Sequence, residues 1–237
     1  MSSRFAAALL LAGALAHPGF AAVAAPLTVQ AQYNLSLKGV PIAVMQETFE
    51  VRDGAYRAVS ETHATGLFAL AQRRPGRVTS SGEVDRGGLR PKTFDGTRGT
   101  RDPRRVHADF DWAARTLTLI HDERTETVAL PPGTQDRLSV MYQFLFLDPR
   151  QLGKLAFPMT NGRKIDHYRY AIGPDTAIDT PLGRLAVVHL VKQHATGETA
   201  TEIWLAREHR LMPVKMRVVE DDGDRYEQVI VRLDITE

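Results

Sequence analysis

The sequence predicts an all-β fold, mainly antiparallel: a strongly curved sheet or partly open barrel with one amphipathic helix packed on or in it. Three observations lead there. Leu27, Val29, Ala31, Tyr33, Leu35 and Leu37 alternate with Thr28, Gln30, Gln32, Asn34, Ser36 and Lys38, the period of two that gives a strand one apolar and one wet face. Tight-turn dipeptides recur at Asp53-Gly54, Gly87-Gly88, Asn161-Gly162 and Asp222-Gly223, the chemistry of hairpins. One stretch changes period: in Gln135 to Phe146, the residues Leu138, Met141, Tyr142, Leu145 and Phe146 share one helical face.

Taken in order, the first strand turns at Lys38-Gly39-Val40-Pro41 into a second near Ile42 to Val51, and Asp53-Gly54 leads into a third over Ala55 to Thr65. Further strands are expected near Arg77 to Val84, Arg90 to Thr97, Val106 to Trp112 and Thr116 to Ile120. Pro131-Pro132-Gly133 stops this run and the helix follows, with Asp136 as its expected N-cap and Asp148-Pro149 as its stop. Six more strands are expected between Leu155 and Ile235. Leu185 to Leu190 is apolar on both faces, as in a strand covered on both sides. Roughly a dozen antiparallel strands exceed what a flat sheet holds without curling, so a curved sheet around the helix is expected.

The N-terminus carries Arg4, an apolar run from Phe5 to Ala16, and Ala22-Val23-Ala24, the layout of a cleavable secretory leader. The run is shorter than the roughly 20 residues of a spanning helix. The expected organisation is a leader over residues 1–24 and a single mainly-β domain over 25–237, exported to the periplasm, with no integral membrane segment after cleavage. The chain has no cysteine, which removes disulfides, thiolate chemistry and a lipid-modified N-terminal cysteine. With 30 Lys plus Arg against 28 Asp plus Glu, no nucleic-acid partner is expected. The most basic stretch, Arg98 to Arg105, reads as a solvated loop.

No nucleotide-binding, zinc-protease or nucleophile-elbow motif is present, and neither a cofactor nor a metal is expected. Ser139 is the one candidate nucleophile, because it follows Asp136 near a helix N-terminus; a local hydrogen bond is the stronger reading. The histidines form no ligand pair. Asp109 and Asp111 share one strand face as its wet side, and Glu220 to Asp224 lacks the spacing of a calcium loop. What remains is apolar and aromatic: Met141, Tyr142 and Phe146 on the helix, with Trp112 and Trp204 on strands. These residues are the expected lining of a concave site for a lipid or other apolar small molecule, against the alternative of a filled core.

Gln135 to Gln143, together with Gly87-Gly88-Leu89-Arg90-Pro91-Lys92-Thr93-Phe94, Thr180-Pro181-Leu182-Gly183, Ile203-Trp204-Leu205-Ala206 and Leu211-Met212-Pro213-Val214, resembles the exported bacterial proteins grouped as domain of unknown function 3108. The resemblance runs over nearly all of residues 25–237. It implies a periplasmic, mainly β protein of Gram-negative bacteria and brings no catalytic or binding residue with it. The expected function is non-enzymatic binding of an apolar or amphipathic envelope component. The alternatives are a cofactor-independent hydrolase using Ser139 or a histidine and carboxylate cluster, and a module that binds protein or glycan through a sheet edge or face.

Overall fold

The computed structural model describes residues 25–70, 72, 74–97, 105–148, 152, 155–194 and 198–237. The expected leader, and residues 98–104 of the basic stretch, lie outside the described residues. Among the described residues, sixteen strands form one sheet. The first half is a meander: β1 (Leu27–Leu37), β2 (Val40–Arg52), β3 (Ala55–Ala64), β4 (Gly76–Asp85), β5 (Gly88–Thr97), β6 (Arg105–Asp111), β7 (Thr116–His121) and β8 (Arg124–Ala129). After β9 (Gln135–Asp136) and the helix α1 (Ser139–Gln143) come β10 (Ala156–Thr160), β11 (Ile165–Ile172), β12 (Thr176–Thr180), β13 (Gly183–Lys192), β14 (Ala200–Ala206), β15 (Met212–Val219) and β16 (Arg225–Thr236).

The spatial order is β8-β7-β6-β5-β4-β3-β2-β1-β16-β15-β14-β13-β11-β10-β9, with β12 beside β13. Among the described residues the pairings are antiparallel except for the two-residue parallel match of β9 with β10. First and last strands pair in the middle of the sheet, from Thr28 opposite Thr236 to Leu37 opposite Tyr226. The predicted alternation holds in β1, where Leu27, Val29, Ala31 and Tyr33 are buried. Lys38-Gly39 and Asp53-Gly54 take positive φ at both turn positions, the hairpin geometry that matches strand twist.

The two wings approach each other without pairing their backbones. Gly162, in the β10–β11 turn, has φ of +85° and lies against Phe94 and Val106 of the opposite wing. Next to it, the Arg163 guanidinium grips both carboxylate oxygens of Asp122 in the β7–β8 turn. The result is a partly open barrel closed by side chains, as the curved-sheet expectation requires.

The helical stretch is shorter than the sequence suggests. Gln135 and Asp136 are strand, because their backbone pairs with Met159 and Thr160; α1 covers only Ser139–Gln143, and Phe144–Phe146 form a tighter 3-10 turn. Asp136 is therefore not the helix N-cap residue, yet its carboxylate accepts the amides of Leu138 and Ser139, at 2.9 and 2.8 Å. The apolar side chains of this stretch are buried on two sides: Leu138, Tyr142 and Leu145 join one buried cluster and Val140 and Phe144 another. The stretch divides the interior.

A β-carbon added at Gly162 would lie 2.7 Å from Val106 Cβ and 3.2 Å from a Phe94 ring carbon. Gly162→Ala is expected to destabilise the fold by about 1–3 kcal/mol, from overpacking and from the positive φ. Urea unfolding followed by circular dichroism measures this, and an unchanged midpoint would contradict the close approach of the wings.

Candidate functional site

Residues 135–146 cross the bowl of the sheet and are fixed by two buried polar anchors. At the first, Tyr56 Oη lies 2.8 Å from Ser80 Oγ, and Ser80 donates to Asp136 Oδ2 at 2.6 Å. With the amides of Leu138 and Ser139 on its other oxygen, the Asp136 carboxyl has three donors although no part of it reaches solvent. Burial pushes its pKa above the usual carboxylate range, and these hydrogen bonds partly counter the shift. The Gln135 side-chain Nε2 donates to the Leu89 carbonyl of β5 at 2.8 Å, while the Arg137 backbone amide donates to the Thr160 carbonyl of β10 at 3.1 Å. Three consecutive residues thus tie opposite wings together.

The second anchor is Glu47, on the inner face of β2. Tyr142 donates its hydroxyl to Glu47 Oε2 at 2.9 Å. Burial pushes the Glu47 carboxyl up, opposed by its hydrogen bonds with Tyr142 and Ser60. Tyr142 stacks on Phe49 at 4.4 Å with planes 6° apart, and Phe146 meets the same ring edge-on at 6.3 Å. This half of the bowl is filled.

Open space lies on other stripes of the same helix. A cavity of about 340 Å³ is bounded by Leu138 and Met141, by Met45 and Glu47, and across the bowl by Met159 and Met216 among others. A second, of about 490 Å³, lies on the opposite side of α1 against Val140, Phe144, Trp112 and Phe157 among others. Gln135 also borders this second cavity, and its Oε1 is buried without a hydrogen-bond partner among the described residues.

Of the five residues expected to line a site, Met141 borders the first cavity and Trp112 the second. Trp112 donates its indole N–H to the Pro91 carbonyl at 2.6 Å, and Arg90 lies 5.2 Å above its ring. Tyr142 is fully buried and stands behind the cavity wall with Phe146. Trp204 points away, because its neighbour Ile203 borders the first cavity and successive strand residues face opposite sides. It stacks on His189 at 4.5 Å, with Lys215 and Arg217 about its ring. The sequence did not single out Met45, Met159, Met216 or Glu47; an inward-facing glutamate at an apolar strand position was the signal available for the last.

Ser139 is fully buried, accepts the Asp136 amide at 2.9 Å and donates back to the Asp136 carbonyl at 3.1 Å. That reciprocal pair is a local capping arrangement, and among the described residues no histidine is hydrogen-bonded to the Ser139 hydroxyl to act as a base. His107 sits between Asp95 and Asp109, 2.9 Å from each, and His189 pairs with Glu202 at 2.7 Å. Asp111 accepts the Ala114 amide at 2.8 Å. Among the described residues no cluster of His, Asp and Glu is arranged to hold a metal ion.

The family model described as "Protein of unknown function (DUF3108)" matches residues 32–230, and the chain belongs to that family. The crystal structure of a β-barrel-like protein of domain of unknown function DUF1849 from Brucella abortus is similar over 90% of this chain and 98% of that one, with a TM-score of 0.51 and 12% identity. At that identity the likeness is one of fold alone. No curated protein matches the sequence.

Because burial raises the Glu47 pKa, the folded protein holds that proton more tightly than the unfolded chain, whose carboxyl titrates near about pH 4.3. Glu47's contribution to stability is complete below that pH and is lost as the pH rises towards the folded value. Glu47→Gln keeps the shape and an acceptor for Tyr142, so its melting temperature should fall less than the wild type's between about pH 5 and pH 8. Equal slopes would contradict the buried acid. Tyr142→Phe strands the Glu47 acceptor and should cost about 1–3 kcal/mol in denaturant titration.

Proposed function

We propose that this member of the DUF3108 family is a non-enzymatic periplasmic protein that holds an apolar or amphipathic envelope component in the cavity beneath α1. The observation that carries this reading is the convergence of four of the chain's six methionines, Met45, Met141, Met159 and Met216, on one cavity. Thioether side chains are flexible and polarisable, and they suit a surface that must accommodate an irregular apolar ligand. The volume of about 340 Å³ falls at the lower end of the roughly 300–1,000 Å³ of small-molecule pockets. Glu47, Ser60, Thr62, Thr201 and Gln228 add polar groups to the lining, as a ligand with a polar head requires. The Arg4-to-Ala24 stretch supplies the motive for export.

Native mass spectrometry of protein recovered from periplasmic extract should show a bound mass in the range of a single-chain amphiphile. A dry interior with no co-purifying mass would overturn the reading. Met141→Trp, which places an indole in the cavity, should lower affinity for lauric acid by about tenfold or more while retaining the circular dichroism spectrum; unchanged affinity would place the ligand elsewhere.

A further inference from the structure

The β3–β4 connection presents apolar side chains to water. Leu67 and Leu70 are each 84% exposed and Phe68 is 46% exposed, in the 3-10 turn Gly66–Leu70, where no residue is buried. Soluble surfaces carry scattered apolar residues, but three large ones on one five-residue turn form a patch that calls for a partner.

The turn is also built. The Gln72 side chain accepts the Ala64 amide at 2.6 Å and donates to the Thr62 carbonyl at 2.9 Å. The Thr65 amide donates to Ile42 at 2.8 Å, and the Gln72 amide donates to Ala69 at 3.2 Å. Backbone polar groups at the base of the turn are thus met within the protein, while the leucines point outward. Arg74 is exposed just beyond the turn, and Val40, at the neighbouring β1–β2 turn, is 56% exposed.

This tip lies at the same end of the sheet as part of the lining of the methionine-lined cavity. The cavity residues Thr62, Val78, Thr201 and Val218 each lie within two residues of a strand end, and the antiparallel register places those ends on the side of the sheet where β3 turns into β4. Thr62 both borders the cavity and holds Gln72.

We propose that the β3–β4 turn is a lipid-docking tip whose Leu67, Phe68 and Leu70 enter the boundary between headgroups and acyl chains of a phospholipid surface. An arginine next to the inserted side chains stays at phosphate level, the arrangement by which apolar and basic groups together hold a protein in the interface plane. The β15–β16 turn at the same end carries Glu220, Asp221, Asp222 and Asp224, the last paired with Lys38. Those acids keep that rim off an anionic surface, so the β3–β4 corner makes the contact. Docked in this way, that end of the cavity lining faces the leaflet from which an amphiphile enters. That last step rests on the proposed binding function; the docking itself does not.

Flotation of purified protein with vesicles of phosphatidylethanolamine and phosphatidylglycerol tests this directly. The wild type should float with the vesicles, and Leu67→Ser/Leu70→Ser should reduce the bound fraction about tenfold or more with an unchanged melting temperature, because both side chains are exposed. Phe68→Trp should give a blue-shifted emission on vesicles as an independent readout of insertion. Wild type that stays unbound would overturn the proposal, as would equal flotation of the double variant. Loss in that variant of a crosslink to another protein, or of self-association, without vesicle binding would also overturn it and assign the tip to a protein contact. Native mass spectrometry of the double variant separates the two readings: a bound mass without flotation sinks the tip alone, and flotation with an empty cavity sinks the binding function alone.

Discussion

A buried aspartate at a crossing point holds this fold together. The sheet does not close on itself by strand pairing, so its wings must be joined by something that spans the interior. Asp136 supplies that join from a two-residue strand: its backbone belongs to the β10 edge, its carboxylate receives Ser80 from β4, and its second oxygen starts the helical turn through the amides of Leu138 and Ser139. A carboxyl taken fully out of water is costly unless each lone pair is met. Here three donors converge on one group, and removing any of them would leave a buried acceptor short at about 1–3 kcal/mol. The position of α1, and with it the shape of the space on either side, follows from that constraint.

Given that crossing, the interior divides unevenly. On one side, Tyr142 and Phe146 pack on Phe49 and leave no room between them and the sheet. On another, Leu138 and Met141 face Met159 and Met216 across a gap. Stacked aromatic rings fill space with defined geometry, whereas methionines leave it adaptable. Glu47 stands at the boundary, bonded to Tyr142 and bordering the gap. The same short helix is therefore a plug on one stripe and a cavity wall on another, and the two descriptions concern different side chains.

Much of this was legible in the sequence because strands facing a core alternate and hairpins use glycine. The period of β1 and the Asp53-Gly54 turn gave their elements directly. β8 was not legible: Arg-Thr-Glu-Thr-Val-Ala is an edge strand with little burial, so no apolar period marks it, and its partner β7 alone defines it. The helix was overextended because Gln135 and Asp136 fit a helical start locally, while their strand pairing with β10 is a contact across more than twenty residues of chain. The cavity was hidden for a similar reason. Met45, Met141, Met159 and Met216 are scattered through the sequence, and only the wrapping of the sheet brings them together. Nothing in the sequence marks Leu67 and Leu70 as exposed; their exposure follows from the turn that Gln72 pins.

The methionines also provide the most direct test. Met212 is fully buried in the core and borders neither cavity beside α1, so among the methionines from residue 25 onward it stands apart from the four that do. Protein labelled at its methionine methyl groups and titrated with lauric acid should show saturable shifts at Met45, Met141, Met159 and Met216 with Met212 nearly still. Spectra without saturable change at those four, or with Met212 moving as far as they do, would contradict a binding cavity held open beneath the anchored helix.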